Sequence, residues 1–300
     1  MMVRRRPRAI WMRKMAGKGT IDRYREGEFY RMTMTTSGRD PASFTVILPT
    51  YNEVQNIRSM VEELLRLYPG ISVLVVDDNS VDGTVEAVQE LGRRHPTVRL
   101  MVRDPRDRGL TASLMDGIAN AGTEHFIVMD ADFQHPPAVV GDVIEMLSAG
   151  HVLVVGTRND IKAMKATRRL ASWGANFIAR SYLFVHRKCR PRDLMSGFFG
   201  GDAAVWKNVI QKSWGGFERQ GFKILFDLMK FAPPGTRVSE VRYDFGERSG
   251  GESKLDSRAI LSLLRQCGIP GKVLAALIGP FTRRPARRAP DQEAATTVRP

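Results

Sequence analysis

Five short apolar runs recur along the chain at a nearly constant interval. They are FTVILPT (44–50), ISVLVVDD (71–78), VRLMVRD (98–104), HFIVMDAD (125–132) and HVLVVGTR (151–158), with starts 26 or 27 residues apart. Most are dense in Val, Ile and Leu, as expected of strands buried on both faces. Between them the apolar period changes. VQNIRSMVEELLRLY (54–68) places Ile57, Met60, Val61, Leu64, Leu65 and Tyr68 at three- and four-residue steps. DGTVEAVQELGRR (82–94) and GLTASLMDGIANA (109–121) behave likewise. Strand–helix–strand alternation of this length predicts an α/β domain, a mostly parallel sheet flanked by helices on both faces.

After residue 160 the alternation stops. RRLASWGANFIARSYLF (168–184) and ERQGFKILFDLMKFA (218–232) read as helices, and RVSEVRYDF (237–245) as a late strand. GERSGGESKLD (246–256) is a glycine-rich charged loop, and AILSLLRQCGIPGKVLAALI (259–278) is helical and amphipathic with a break at Gly268–Pro270.

Charge adds a second layer. The net charge is +14 and the pI near 10.2. Residues 1–40 carry +7 and residues 271–300 carry +4, so the basicity belongs mostly to the ends. Basic ends suit anionic lipid, each Lys or Arg contributing about 1 kcal/mol near such a surface, or nucleic acid; solvated, disordered extensions are the competing reading. The longest apolar stretch, IPGKVLAALIGPF (269–281), is too short and too broken to span a membrane. The first residues have charge but no apolar core, a poor signal peptide, and Met32 or Met34 offers an alternative start. Cys189 and Cys267 form no disulfide framework or zinc spacing, which makes a reduced, cytoplasmic setting the default.

The candidate chemistry sits where the strands stop. Ligands of parallel sheets bind beyond the carboxyl ends of the strands. Asn52 and Glu53 follow the first run, Asp77 and Asp78 end the second, Asp130 and Asp132 end the fourth, and Arg158 ends the fifth. On a regular strand Asp130 and Asp132 share one face. Two like charges so placed repel, and a divalent cation of the Mg²⁺ or Mn²⁺ kind removes the conflict while leaving positions for a diphosphate. Gln134 can add a third oxygen. The competing reading is an acidic strand end that caps the next helix. Asp82 reads as such a cap, whereas Asp77 and Asp78 close a core strand. His135, followed by two prolines, reads as structural.

Eight segments occur together and in order: Pro49-x-Tyr51-Asn52-Glu53, VVDDNSVDGT (75–84), DRGLTAS (107–113), DADFQHPP (130–137), GTR (156–158), RRLASWGAN (168–176), DLMSGF (193–198) and FGERSGGESKL (245–255). This set resembles the inverting family 2 glycosyltransferases, and within them the dolichol-phosphate (polyprenol-phosphate) mannose synthases. The resemblance implies a GT-A fold and a nucleotide-sugar donor, GDP-mannose first. It implies Mg²⁺ or Mn²⁺ held by Asp130, Asp132 and Gln134. Pro49, Tyr51, Glu53, Asp78, Asp130 and Arg158 would line the donor, and Arg168, Arg248 and Lys254 would face the phosphate of a dolichyl or polyprenyl acceptor. Asp132, Arg248 and Lys254 would carry the catalysis. The expected setting is peripheral, on the cytoplasmic face of a membrane without a spanning helix, and small membrane subunits remain an open partner. Two departures stand out: Leu194 where such enzymes often have proline, and Asp227 where a longer acid is common.

The resulting organisation is a basic extension (1–42), a catalytic domain (43–257), a helical, membrane-associated segment (258–281) and a basic tail (282–300). Three alternatives compete. A same-fold enzyme would use UDP-glucose. A processive polysaccharide synthase would need spanning helices and a Gln-x-x-Arg-Trp motif, and neither occurs. A nucleic-acid-binding protein would need basic and aromatic residues interleaved on a core element, and would leave the aspartates unexplained. AGKGT (16–20) lacks the first glycine and the preceding strand of a phosphate loop. VHRKCRPRD (185–193) reads either as a lipid-headgroup grip or as a solvated loop.

Overall fold

A computed structural model describes residues 40–159, 166–221 and 223–246, with backbone alone at 166–173 and 175. The basic ends, the helix expected over 259–278, Arg248 and Lys254 lie outside the described residues.

Among the described residues seven strands form one sheet in the order β3-β2-β1-β4-β6-β5-β7. They are β1 (Phe44–Thr50), β2 (Ser72–Asp77), β3 (Val98–Val102), β4 (His125–Val128), β5 (Leu153–Arg158), β6 (Phe199–Asp202) and β7 (Val238–Tyr243). All pairings are parallel except those of β6, which runs against both β4 and β5. The helices are α1 (Val54–Leu67), α2 (Thr84–Arg94), α3 (Leu110–Asn120), α4 (Val140–Ser148), α5 (Ala166–Val185), α6 (Ala203–Lys212) and α7 (Ile224–Phe231).

Strand alternation divides the core into two layers. Val46 and Leu48, Val73 and Val75, and Ile127 face Ile57, Leu64, Val88 and Ile144 of α1, α2 and α4. Ile47, Leu74, Val76, Phe126 and Val128 face Met115, Ile118, Trp206 and Leu228 of α3, α6 and α7. A strand apolar on both sides is what a sheet between two helix layers demands.

β6 is absent from the sequence reading. Its FGGD sequence carries two glycines, which lower strand propensity. Packing explains them. A Cβ on Gly200 would stand 2.8 Å from Val143 Cγ1, and one on Gly201 would stand 2.6 Å from Trp206 Cδ1. Both faces of the strand are filled by neighbouring side chains. The expected 218–232 helix is also corrected. α7 begins at Ile224, and Gly221 N–H instead closes a turn onto the Glu218 carbonyl.

Because β6 is antiparallel, it starts at the edge where its parallel neighbours end. The chain entering it, residues 193–198, must therefore cross the mouth of β4. Pro49 helps open that mouth. Met129 N–H donates to the Ile47 carbonyl, but proline at 49 has no N–H to extend the β1–β4 ladder.

Candidate active site at the strand ends

The acidic segment departs from the regular strand expected of it. β4 stops at Val128, so Asp130 and Asp132 stand on a turn rather than on one strand face. Phe133 adopts φ +62°, a left-handed conformation costing a bulky residue about 1–2 kcal/mol. The turn separates the two acids. Asp132 is 2% exposed and accepts the Gln134 N–H at 3.1 Å, while the Asp130 side chain is 41% exposed. One carboxylate is anchored and the other reaches toward solvent.

His135 supports the turn from beneath. Its Nδ1 accepts the Asp130 N–H at 3.1 Å, and its ring lies among Phe198, Tyr243 and Phe245. Burial, opposed mainly by Asp132, pushes the imidazole down to about 4. A neutral ring whose Nδ1 is committed to a backbone bond is a strut, in line with the structural reading.

Two glycines pack against the turn. A Cβ on Gly197 would lie 3.4 Å from Asp130 Oδ2, and one on Gly246 would lie 2.9 Å from the Phe133 carbonyl oxygen. Gly246 N–H donates to the Gln134 carbonyl at 3.0 Å. The 193–198 segment thus packs against Asp130, and the first residue of the glycine-rich loop packs against the Phe133–Gln134 part of the turn.

A second polar cluster follows β1 and β2. Asp77 is fully buried and accepts from Thr50 Oγ1 and from the Ser80 N–H and hydroxyl, so it ties the strand ends together and does not line the crevice. Asp82 is not the N-cap expected of it, since Glu53 and Gly83 hold those positions, but its carboxylate accepts the first N–H of both helices, Val54 of α1 and Thr84 of α2. Asn52 and Asn79, both at positive φ, turn the chain after each strand. Asp78 accepts from Arg103 Nη1 at 2.5 Å, Ser113 Oγ at 2.8 Å and Gly109 N–H at 3.0 Å. Arg103, only 3% exposed, also bonds Asp107 and Asp116, each at 2.7 Å.

The model of glycosyl transferase family 2 matches residues 45–214, which include both clusters. The chain belongs to that family. This glycosyltransferase is 35% identical over 238 residues to a dolichol-phosphate mannosyltransferase of Mycosarcoma maydis, covering 75% of this chain and 77% of that one. It is 34% identical over 229 residues to a dolichol-phosphate mannosyltransferase of Pyrococcus furiosus, covering 74% of this chain and 61% of that one. Its fold resembles that of glucosyl-3-phosphoglycerate synthase from Mycobacterium tuberculosis, solved with Mn²⁺, UDP and glucosyl-3-phosphoglycerate. The TM-score is 0.55 at 21% identity, with 78% of this chain and 81% of that one covered. The GT-A architecture is thereby shown.

Within the glycosyltransferase, the residues expected at the donor fall on one edge of the sheet. Pro49 is the penultimate residue of β1, Tyr51 follows the strand, and Glu53 precedes α1 and accepts from Asn56 Nδ2. Arg158 ends β5 with Nε and Nη2 on Asp193 Oδ2 at 3.0 and 2.8 Å, and its guanidinium lies over Phe245. Arg168 lies on α5. Leu194 explains its own departure from proline. Its N–H donates to Asn176 Oδ1 at 2.9 Å, a bond proline could not make. Asp227 is fully buried and accepts from Glu218 N–H and Lys230 Nζ, so it serves the packing of α7. In the 185–193 loop Lys188 bonds the Ala232 carbonyl and Arg190 covers Phe184.

Arg103 and Lys223 escaped the sequence reading, and Arg108 and Asp193 entered it only within the DRGLTAS and DLMSGF segments, without a role of their own. Arg103 ends an apolar run and looks like ordinary strand punctuation. Only folding brings Asp78, Asp107 and Asp116 around it. Lys223, just before α7, reaches the Met195 carbonyl at 2.8 Å and so supports the segment beside Asp130.

Proposed function

We propose that this glycosyltransferase moves mannose from GDP-mannose to dolichyl or polyprenyl monophosphate, with inversion at the anomeric carbon. The structural observation that supports this most is the turn bearing Asp130, Asp132 and Gln134, with Gly197 and Gly246 packed against it at the mouth of β4. The two named dolichol-phosphate mannosyltransferases support mannose as the sugar and dolichyl phosphate as the acceptor, while the GDP carrier follows from the family resemblance of the motifs.

The donor atoms of the turn suit a hard cation. They are carboxylate and amide oxygens, and Gly197 keeps the approach to Asp130 clear of a Cβ. Among the described residues no three His, Cys, Asp or Glu side chains gather to hold an ion by themselves. That agrees with Mg²⁺, which usually takes one or two carboxylates and completes its shell with water and substrate phosphate. We assign Asp130, Asp132 and Gln134 to Mg²⁺ or Mn²⁺, which when bound stabilises negative charge on the leaving diphosphate as a Lewis acid. Asp132, fixed by the Gln134 N–H, orients the turn. Tyr51, Glu53, Asp78 and Pro49 line the nucleotide, and Arg158 stands at the diphosphate side.

The acceptor is an oxygen nucleophile that is already charged. A phosphate monoester with a second pKa of about 6 is mostly dianionic at neutral pH. Its oxygen forms the new bond to C1 as the bond from C1 to the diphosphate breaks, and GDP departs with the electron pair. No general base is required, in keeping with a neutral, buried His135. The acceptor phosphate needs cations, and we assign Arg168, Arg248 and Lys254 to that role, Arg248 lying two positions beyond Gly246 in sequence. Residues 43–257 form the catalytic unit in this reading, while the basic ends and the 258–281 segment hold the enzyme at the cytoplasmic face of the membrane. Among the described residues no helix is long and apolar enough to cross one.

Incubation with labelled GDP-mannose or UDP-glucose, dolichyl phosphate and Mg²⁺ or Mn²⁺ tests the assignment. Labelled lipid should form from GDP-mannose, disappear with a chelator, and fall at least a hundredfold in Asp132→Asn with thermal unfolding unchanged within a few degrees. Lipid labelled only from UDP-glucose, or undiminished turnover in Asp132→Asn, would overturn it.

A further inference from the structure

Arg108 is an exposed arginine that is nevertheless held still. Its Nε donates to the Asp78 carbonyl at 2.9 Å, Nη2 to the Asn79 carbonyl at 3.0 Å and Nη1 to Tyr51 Oη at 3.1 Å. The guanidinium also lies over the Tyr51 ring, 4.7 Å from its centroid. Immobilising a long exposed side chain is entropically unfavourable and brings little stability at a surface. The cost is intelligible if the fixed orientation serves a ligand.

Three of the five guanidinium N–H groups are used in these bonds, and two remain for an incoming acceptor pair. The same loops present a carboxylate. Gly109, the next residue, donates its N–H to Asp78 Oδ2, which leaves that oxygen a second lone pair. One N–H on each Nη thus remains on a guanidinium fixed over the Tyr51 ring, in the same loops that carry the Asp78 carboxylate.

We infer that Arg108 reads the donor's base and selects guanine. This rests on the proposed use of a nucleotide sugar at this site. Guanine offers two adjacent acceptors, O6 and N7, which arginine meets with two parallel bonds. Its neighbouring N1–H, which hypoxanthine shares, suits the remaining lone pair of Asp78 Oδ2. Adenine keeps N7 but places a donor at the next position, and uracil has no second acceptor adjacent to O4. Lysine at 108 would retain the charge but lose the fork.

The test is equilibrium binding of GDP, IDP, 7-deaza-GDP, ADP and UDP, each with Mn²⁺, to the full chain and to Arg108→Ala and Arg108→Lys. The unsubstituted enzyme should prefer GDP and IDP over UDP by roughly tenfold to a hundredfold, and 7-deaza-GDP should lose much of that preference. Both variants should weaken GDP and IDP by a similar factor, leave UDP within about twofold, and respond little to 7-deazation. If the enzyme prefers GDP but both variants keep that preference, or lose GDP and UDP binding equally, Arg108 is a rivet for Tyr51 and the inference fails while the proposed donor stands. If the unsubstituted enzyme binds UDP as tightly as GDP, both the inference and the GDP-mannose assignment fail.

Discussion

Arg103 is the residue whose removal should be felt most widely. Its guanidinium is enclosed by Asp78, Asp107, Asp116 and Ser113. In Arg103→Met the stem volume is kept and three carboxylates lose a cation. They do not count equally. Asp107 and Asp116 side chains are 43% and 26% exposed, and Arg219 lies against both. Solvent and that second arginine limit their loss to under about 1 kcal/mol each. Asp78 is 12% exposed and keeps only Ser113 and Gly109 as donors. An uncompensated buried charge costs about 3–5 kcal/mol, and the two remaining donors hold it to the lower end. The sum is about 3–4 kcal/mol, or a fall in melting temperature of roughly 10 °C for a domain of this size. Urea unfolding followed by circular dichroism measures it. A cycle with Asp78→Asn isolates the pair, and coupling of about 2 kcal/mol or more is expected. A loss below 1 kcal/mol in Arg103→Met, or coupling near zero, would refute the claim that this cation holds Asp78 in place.

Gly246→Ala tests the contact between the glycine-rich loop and the acidic turn. The new Cβ would sit 2.9 Å from the Phe133 carbonyl oxygen, so the chain must move and the bond to Gln134 must lengthen or break. Stability should fall by about 1 kcal/mol, whereas transfer should fall more than tenfold, since misplacement of about 1 Å can cost a hundredfold; equal, small effects on both would remove the loop from the site. Deleting residues 1–39 together with 282–300 should weaken binding to anionic vesicles, most at low salt, and leave binding to neutral vesicles unchanged. Sedimentation with vesicles at two ionic strengths decides it, and salt-independent binding by both forms would reject an electrostatic role for the ends.

The parallel part of the sheet and its helices were legible because their signals are local. Val46, Ile47 and Leu48 in β1 and Ile57, Met60 and Leu64 in α1 announce two-faced burial and helical period in their own neighbourhoods. The aspartates stood out for the same reason, since charge at the end of an apolar run is conspicuous, although Asp77 proves to be structural. Other features depended on distant parts of the chain. Gly200 and Gly201 look like a strand breaker until Val143 and Trp206 are placed against them. Asp77 and Asp78 are neighbours in sequence, yet one is locked to Thr50 and Ser80 while the other is held by Arg103, Ser113 and Gly109. Asp130 and Asp132 read as an equivalent pair, and the left-handed turn at Phe133 made them unequal. Sequence by itself determined which segments of the parallel part form strands and helices and where polar groups gather, because those follow from burial along each element. Which carboxylate is buried, and which cation it meets, was decided by packing between elements far apart in the chain.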